Sequence, residues 1–177
     1  MGKYQNKYRN ESARLSTWDY SADGAYFITI CTKNKEHYFG EILKPDKLEF
    51  SDIGHYVHKC WYDIPLHFPF VQLDEFIVMP DHFHGILFIN KQNNGVIVGT
   101  QNFASLQEQQ NKFGPQSQNL ASIVRGFKIG ITKYARINKT TFCWQSRYYD
   151  HIIRSDSELD RIRNYIKTNP YNFGKNM

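Results

Sequence analysis

The chain has 177 residues, of which 41% are hydrophobic, 16% aromatic and 22% charged, and its formal net charge is +5. That length and mixture predict one globular domain with its own core, spanning 1–177, and exclude a disordered or fibrous chain. The basic balance favours a polyanionic partner, while no run approaches the roughly eighteen apolar residues of a membrane span.

Residues 1–16 are basic and polar, interleave Tyr4 and Tyr8, show no sustained period, and read as an N-terminal basic arm. Ala25 to Thr32, AYFITICT, is rich in β-branched and aromatic residues and is short enough for a strand. YFGEI and KLEFS, separated by Lys44-Pro45-Asp46, predict a hairpin. From Ser51, the apolar residues Ile53, Val57, Trp61 and Ile64 recur at helical spacing and stop before Pro65. VQLDEFIVM and HFHGILFIN then read as a β-pair joined by Pro80-Asp81. Residues 91–118 are rich in Gln, Asn and Gly and aperiodic, which predicts a flexible insertion. Asn119 or Ser122 caps a helix to about Ile137, with Ile123, Phe127, Ile131 and Tyr134 inward and Arg125, Lys128 and Lys133 outward. YDHIIR reads as a last strand. A capping box, Ser155 with Glu158, opens a final helix whose stripe is Leu159, Ile162 and Ile166 and whose end is expected near Thr168, because Pro170 disfavours helix before it. Strands and helices mix without strict alternation, so the fold class is α+β with an antiparallel sheet.

Within MPDHFHGILFI, His82 and His84 lie two residues apart on a predicted strand and so share a face. Two imidazoles on one face are either core histidines satisfied by carbonyls or two ligands converging on one ion. In DRIRNYIKTNP, Tyr165 and Asn169 lie one helical turn apart. Tyr165 either packs at the margin of the core or presents a nucleophilic hydroxyl, and the amide oxygen of Asn169 can complete a mixed nitrogen and oxygen site for a divalent metal. Cys31, Cys60 and Cys143 are unevenly spaced and give neither a disulfide framework nor a cysteine zinc site. Reduced thiols and the lack of an apolar leader fit a cytosol.

The order of FITICTKNKEHYFGEI, IGHYVHKCWYDIPLHFP, VMPDHFHGI, IVRGFKIGITKYA and WQSRYYDHIIRSDSELDRIRNYIKTNP resembles the REP-associated tyrosine transposases, a branch of the HUH single-tyrosine transposases, over nearly the whole chain. The resemblance implies a ferredoxin-like antiparallel sheet carrying His82-Phe83-His84 as the HUH motif, with a tyrosine helix docked beside it. It implies Tyr165 as the nucleophile, His82 and His84 as metal ligands and Asn169 as a third ligand. The implied reaction is attack of the tyrosine on single-stranded DNA at hairpin-forming repeats, giving a 5′-phosphotyrosine and a free 3′-hydroxyl, followed by strand transfer. The implied location is the bacterial cytosol, with the nucleoid. Whether the protein acts as a monomer or as a homodimer exchanging tyrosine helices stays open. The chain departs from the family in its 91–118 insertion and at Ser146, where relatives often carry a basic residue.

A tyrosine has a pKa near 10, so forming the phenolate at pH 7 costs about 4 kcal/mol. A divalent ion that polarises the phosphate supplies a term of that size. Two imidazoles and an amide make a weak, unselective site, which suits exchangeable Mg²⁺ or Mn²⁺. Arg14, Arg125, Lys128, Lys133 and Arg147 are either phosphate contacts or solvated side chains. Two rival readings accompany the transposase: a non-catalytic protein binding hairpin nucleic acid through its basic surface, and a metal-dependent hydrolase using water with Tyr165 structural.

Overall fold

Side chains alternate faces along a strand, and in the two middle strands of the sheet that alternation separates two apolar sets, each covered by different helices. The computed structural model describes residues 18–44, 47–91 and 118–173, together with two short N-terminal strands, β1 (Lys3–Tyr4) and β2 (Lys7–Tyr8), which pair antiparallel. The remainder of the expected arm, including Arg14, and all but the end residues of the 91–118 insertion lie outside the described residues. The other elements are β3 (Gly24–Cys31), the hairpin β4 (Gly40–Lys44) and β5 (Lys47–Phe50), α1 (Asp52–Tyr62), α2 (Ile64–His67), β6 (Val71–Val78), β7 (His82–Ile89), α3 (Leu120–Ile137), β8 (Tyr149–Ile153) and α4 (Asp156–Asn172). The main sheet has the order β6-β7-β3-β8 with every neighbour antiparallel. Strand, helix, two strands, helix and strand with the first and third strands central is the ferredoxin-like arrangement, here extended by α4. The expected α+β class holds. Among the described residues no helix is long and apolar enough to cross a membrane.

Both long crossovers start where their sequences signal. Ser51 caps α1 by accepting from Gly54 N (3.1 Å), and Asn119 caps α3 by accepting from Ser122 N (2.9 Å) while Ser122 Oγ accepts from Asn119 N (3.0 Å). Ile64 belongs to the separate α2, since the chain turns at Asp63. These helices cover one face of the sheet: Ile53, Val57 and Trp61 of α1 and Ile123, Phe127 and Ile131 of α3 pack with Tyr26, Ile28 and Ile30 of β3 and Phe83, Leu87 and Ile89 of β7. Gly85 lies under this layer because Trp61 approaches the strand there: a Cβ at residue 85 would stand 2.7 Å from the indole. Gly85→Ala is therefore expected to cost about 1–3 kcal/mol by overpacking, read as a lower urea midpoint at unchanged slope.

The opposite face belongs to α4. Ala25 and Phe27, Ile86 and Phe88, and Ile153 pack with Leu159, Ile162 and Ile166. Its start differs in detail from a reciprocal capping box. Ser155 Oγ accepts from Glu158 N (3.2 Å), but Glu158 Oε2 accepts from Arg154 N (2.9 Å), one residue before the cap, while Oε1 meets His151 Nε2 at 2.8 Å. Its end corrects the sequence expectation: α4 runs through Pro170 to Asn172 instead of stopping near Thr168. The proline falls in the last turn, where its missing N–H removes one helical bond only, and the stripe before it is buried, with Asn169 among the buried residues. Asn172 Nδ2 donates to Thr168 O (3.2 Å) at that end. Two ion pairs pin the helix to β6, Arg163 to Asp74 (2.8 and 2.6 Å) and Lys167 to Glu75 (3.2 Å). The acids sit where the β6–β7 register shifts between Leu73 and Phe76, an irregularity that aims them toward α4.

Candidate active site

Even-numbered residues of β7 face α4, so His82 and His84 begin the row that Ile86 and Phe88 continue. Strand β7 lies between β6 and β3, which makes it an interior strand. The two imidazole centroids are 4.6 Å apart. Tyr165 rises over them from α4: its hydroxyl is 3.4 Å from His84 Nε2 in the same chain, and its ring meets Phe27 edge-on at 6.2 Å. The residue is 48% exposed, so the phenol faces both the histidines and solvent. The histidine pair and the tyrosine thus converge across a separation of 81 residues in sequence.

Each imidazole has its Nδ1 occupied. His82 Nδ1 is 2.6 Å from Asp81 Oδ1, and His84 Nδ1 is 2.8 Å from Thr29 Oγ1. His84 is 4% exposed and stacks on Phe27 at 5.4 Å. Burial, reinforced by repulsion from His82 and opposed by Asp81, pushes its pKa down to about 3, so the ring is neutral at pH 7. Burial alone would raise the Asp81 carboxyl, but the hydrogen bond and charge of His82, with a further contribution from His37, hold it below its ordinary value. Phe173, just past α4, lies against His82 at 6.2 Å and His37 at 5.8 Å and closes that side.

Asn169 is 8% exposed, one turn beyond Tyr165, and its carboxamide makes no hydrogen bond to either histidine. A divalent cation nevertheless fits the donor set. Two imidazoles share one face, each with Nδ1 engaged, the Nε2 of His84 meets only the long contact from the Tyr165 hydroxyl, and a neutral His84 needs to lose no proton to act as a ligand. Among the described residues no three His, Cys, Asp or Glu side chains are grouped to hold a metal.

No family model matches the chain. It is 43% identical over 164 residues to an uncharacterised protein of Haemophilus influenzae, covering 92% of this chain and 89% of that one, and the two belong to one family. A provisionally named REP-associated tyrosine transposase (RAYT) of the same organism is 23% identical over 156 residues, 88% of this chain and 75% of that one. A solved structure of a REP-associated tyrosine transposase bound to a REP hairpin superposes with a TM-score of 0.60 at 16% identity, over 94% of this chain and 75% of that one. The chain is RAYT-like. The RAYT-like chain therefore shares its overall fold with that protein.

The basic residues of the RAYT-like chain gather elsewhere. Arg125, Lys128, Lys133 and Arg147 line one groove of about 760 Å³ along α3, together with Arg136, Trp144 and Tyr148, and among the described residues no acidic side chain lines it. Lys128 does not face freely outward as its helical position suggested. It is half-buried, its Nζ donates to Gln145 O (2.9 Å) and Arg147 O (3.3 Å), and it lies over the Trp144 ring at 5.5 Å. It braces the turn in which Arg147 adopts φ +72°. Arg136 was missed in the sequence because it sits in the last turn of α3, where a cation also suits the helix dipole. Thr29, Asp81 and Phe27 were missed as well. Asp81 adjoins His82 in the chain, whereas Thr29 and Phe27 reach His84 only through strand register. Trp18 is a core residue, donating from Nε1 to Tyr26 Oη (3.1 Å).

Proposed function

We propose that the chain is a single-strand DNA transposase or nuclease in which Tyr165 attacks a phosphodiester of a hairpin-forming repeat. The observation that carries this reading is the Tyr165 hydroxyl at 3.4 Å from His84 Nε2, above a second imidazole on the same strand face. In the step, the bond between Tyr165 Oη and phosphorus forms as the bond from phosphorus to the 3′-oxygen breaks. The phenol gives up its proton, the 3′-oxygen gains one, and the phosphotyrosine stores the bond for strand transfer. His82 and His84, with Asn169 as a third donor, would hold Mg²⁺ or Mn²⁺. Such an ion polarises the scissile phosphate and neutralises charge in the transition state. Phe27 limits where the two rings can go, by stacking on His84 and meeting the Tyr165 edge. The contact of Tyr165 with His84 of its own chain supports a site assembled within one subunit.

The groove along α3 would hold the DNA backbone. Tyr148 lines it, and the next residue, Tyr149, is 55% exposed on the α4 side, where it meets Phe27 edge-on at 6.4 Å. A strand leaving the groove can cross the start of β8 toward Tyr165, and Tyr149 is placed to stack on an unpaired base. The RAYT-like fold, shared with a protein bound to a REP hairpin, supports this choice of substrate.

Two measurements test the proposal. Labelled hairpin DNA incubated with the protein and Mn²⁺ should yield label attached to protein on a denaturing gel, and its absence with every divalent metal would overturn the reading. Arg125→Ala with Lys133→Ala should weaken hairpin binding across sequences and reduce the slope of log affinity against log salt by about two, measured by fluorescence anisotropy. A second reading, a non-catalytic hairpin binder, is favoured by the groove alone. It expects no scission and binding indifferent to His82→Ala.

A further inference from the structure

We propose that Asp81 and Thr29 are positioning residues of the histidine pair: by engaging Nδ1 of His82 and of His84, they make Nε2 the nitrogen that each ring offers to a cation. The inference rests on the reading of the pair as a cation site. Neither residue touches the reacting atoms, and each acts through the imidazole that it holds.

At His82 the direction of the bond follows from the partner. A carboxylate only accepts, so across the 2.6 Å contact His82 Nδ1 is the donor and a neutral ring has its lone pair on Nε2. Asp81 is itself held in place. Its side chain is on a residue 7% exposed, and its backbone carbonyl accepts from both Thr32 N (2.9 Å) and Thr32 Oγ1 (2.9 Å). Met79 N donates to His82 O (2.8 Å), closing the turn that presents the carboxylate. At His84 the partner comes from the neighbouring strand, where Thr29 stands opposite His84 in register. A hydroxyl can donate or accept, and only the accepting role leaves His84 Nε2 with a lone pair. That assignment also suits the far side of the ring, where the Tyr165 hydroxyl has a proton to offer Nε2 across 3.4 Å. The Phe27 stack restrains rotation of the His84 plane, so the choice at Nδ1 decides what Nε2 presents. Two rings whose centroids are 4.6 Å apart then direct like atoms, both lone pairs, out of the same strand face.

The experiment uses the full chain in three forms: wild type, Asp81→Asn, which keeps the shape and removes the charge, and Thr29→Val, which keeps the shape and removes the hydroxyl. Long-range ¹H–¹⁵N NMR of the metal-free protein reads the tautomer of each histidine, and electron paramagnetic resonance of free Mn²⁺ reads its binding. In the wild type, His82 and His84 should both be protonated at Nδ1. Thr29→Val should move the His84 proton to Nε2, and each variant should weaken Mn²⁺ binding by roughly 10- to 100-fold, the usual cost of losing an outer-shell partner. Protonation at Nε2 of either ring in the wild type overturns the inference without any variant, as does Mn²⁺ affinity unchanged in both variants. If instead the wild type binds no Mn²⁺ that His82→Ala removes, the cation reading fails, and the tautomers still decide whether Asp81 and Thr29 set the rings.

Discussion

Tyr165→Phe is expected to remove all protein-linked DNA while leaving the fold and hairpin binding intact. The phenol oxygen is the atom that would form the new bond, so no residual activity can come from the altered side chain, whatever metal is supplied. The structural cost is small for a physical reason. The ring is half-exposed and keeps its edge contact with Phe27, and among the described residues the only hydrogen bond lost is the long one to His84 Nε2. A stability change within about 0.5 kcal/mol is expected, as for surface substitutions generally. The pair of measurements is a denaturing gel with labelled hairpin and a thermal melt. Retained label on the protein would assign the nucleophile elsewhere. Cleavage that persists with no protein attached would favour water as the nucleophile and a structural tyrosine.

The second large effect is expected at His84. His84→Ala should abolish cleavage with every divalent metal, and chelation of metal from the wild type should reproduce that loss without changing the fold. The variant differs from Tyr165→Phe in its stability, because His84 is buried against Phe27 and bonded to Thr29. Removing it leaves a small cavity and a hydroxyl without its partner, about 1–3 kcal/mol together. Hairpin affinity in low salt should stay near that of the wild type, since the basic groove along α3 lies on the other side of the sheet from α4. An anisotropy titration beside the cleavage assay separates the two functions. Cleavage surviving in His84→Ala would remove the imidazole pair from the chemistry.

Much of this molecule was legible in the linear chain because local patterns report local constraints. Period-2 alternation put His82 and His84 on one face. Helical spacing found the stripes of α1, α3 and α4, and Ser51, Asn119 and Ser155 announced their starts through short side chains that can satisfy free N–H groups. Proline misled at the other end of α4, since the preference for extended backbone before Pro170 is weaker than the burial of Ile166 and Asn169 against the sheet. Lys128 misled too, because a lysine stem long enough to fold back finds carbonyl acceptors at Gln145 and Arg147 that only the tertiary fold brings near.

What the amino-acid order determined by itself, then, is the set of elements and which residues share a face. Those follow from backbone periodicity and from hydrogen bonds spanning a few positions. What only the tertiary structure decided is which faces meet: that Thr29 stands opposite His84, that α4 lies over β7 and not on the α1 and α3 side, and that Arg136 joins Arg125, Lys133 and Arg147 in one groove. Sheet order and helix packing are choices among distant segments with similar apolar surfaces. They are settled by the total area buried and the ion pairs that close over it, quantities that no window of the sequence contains.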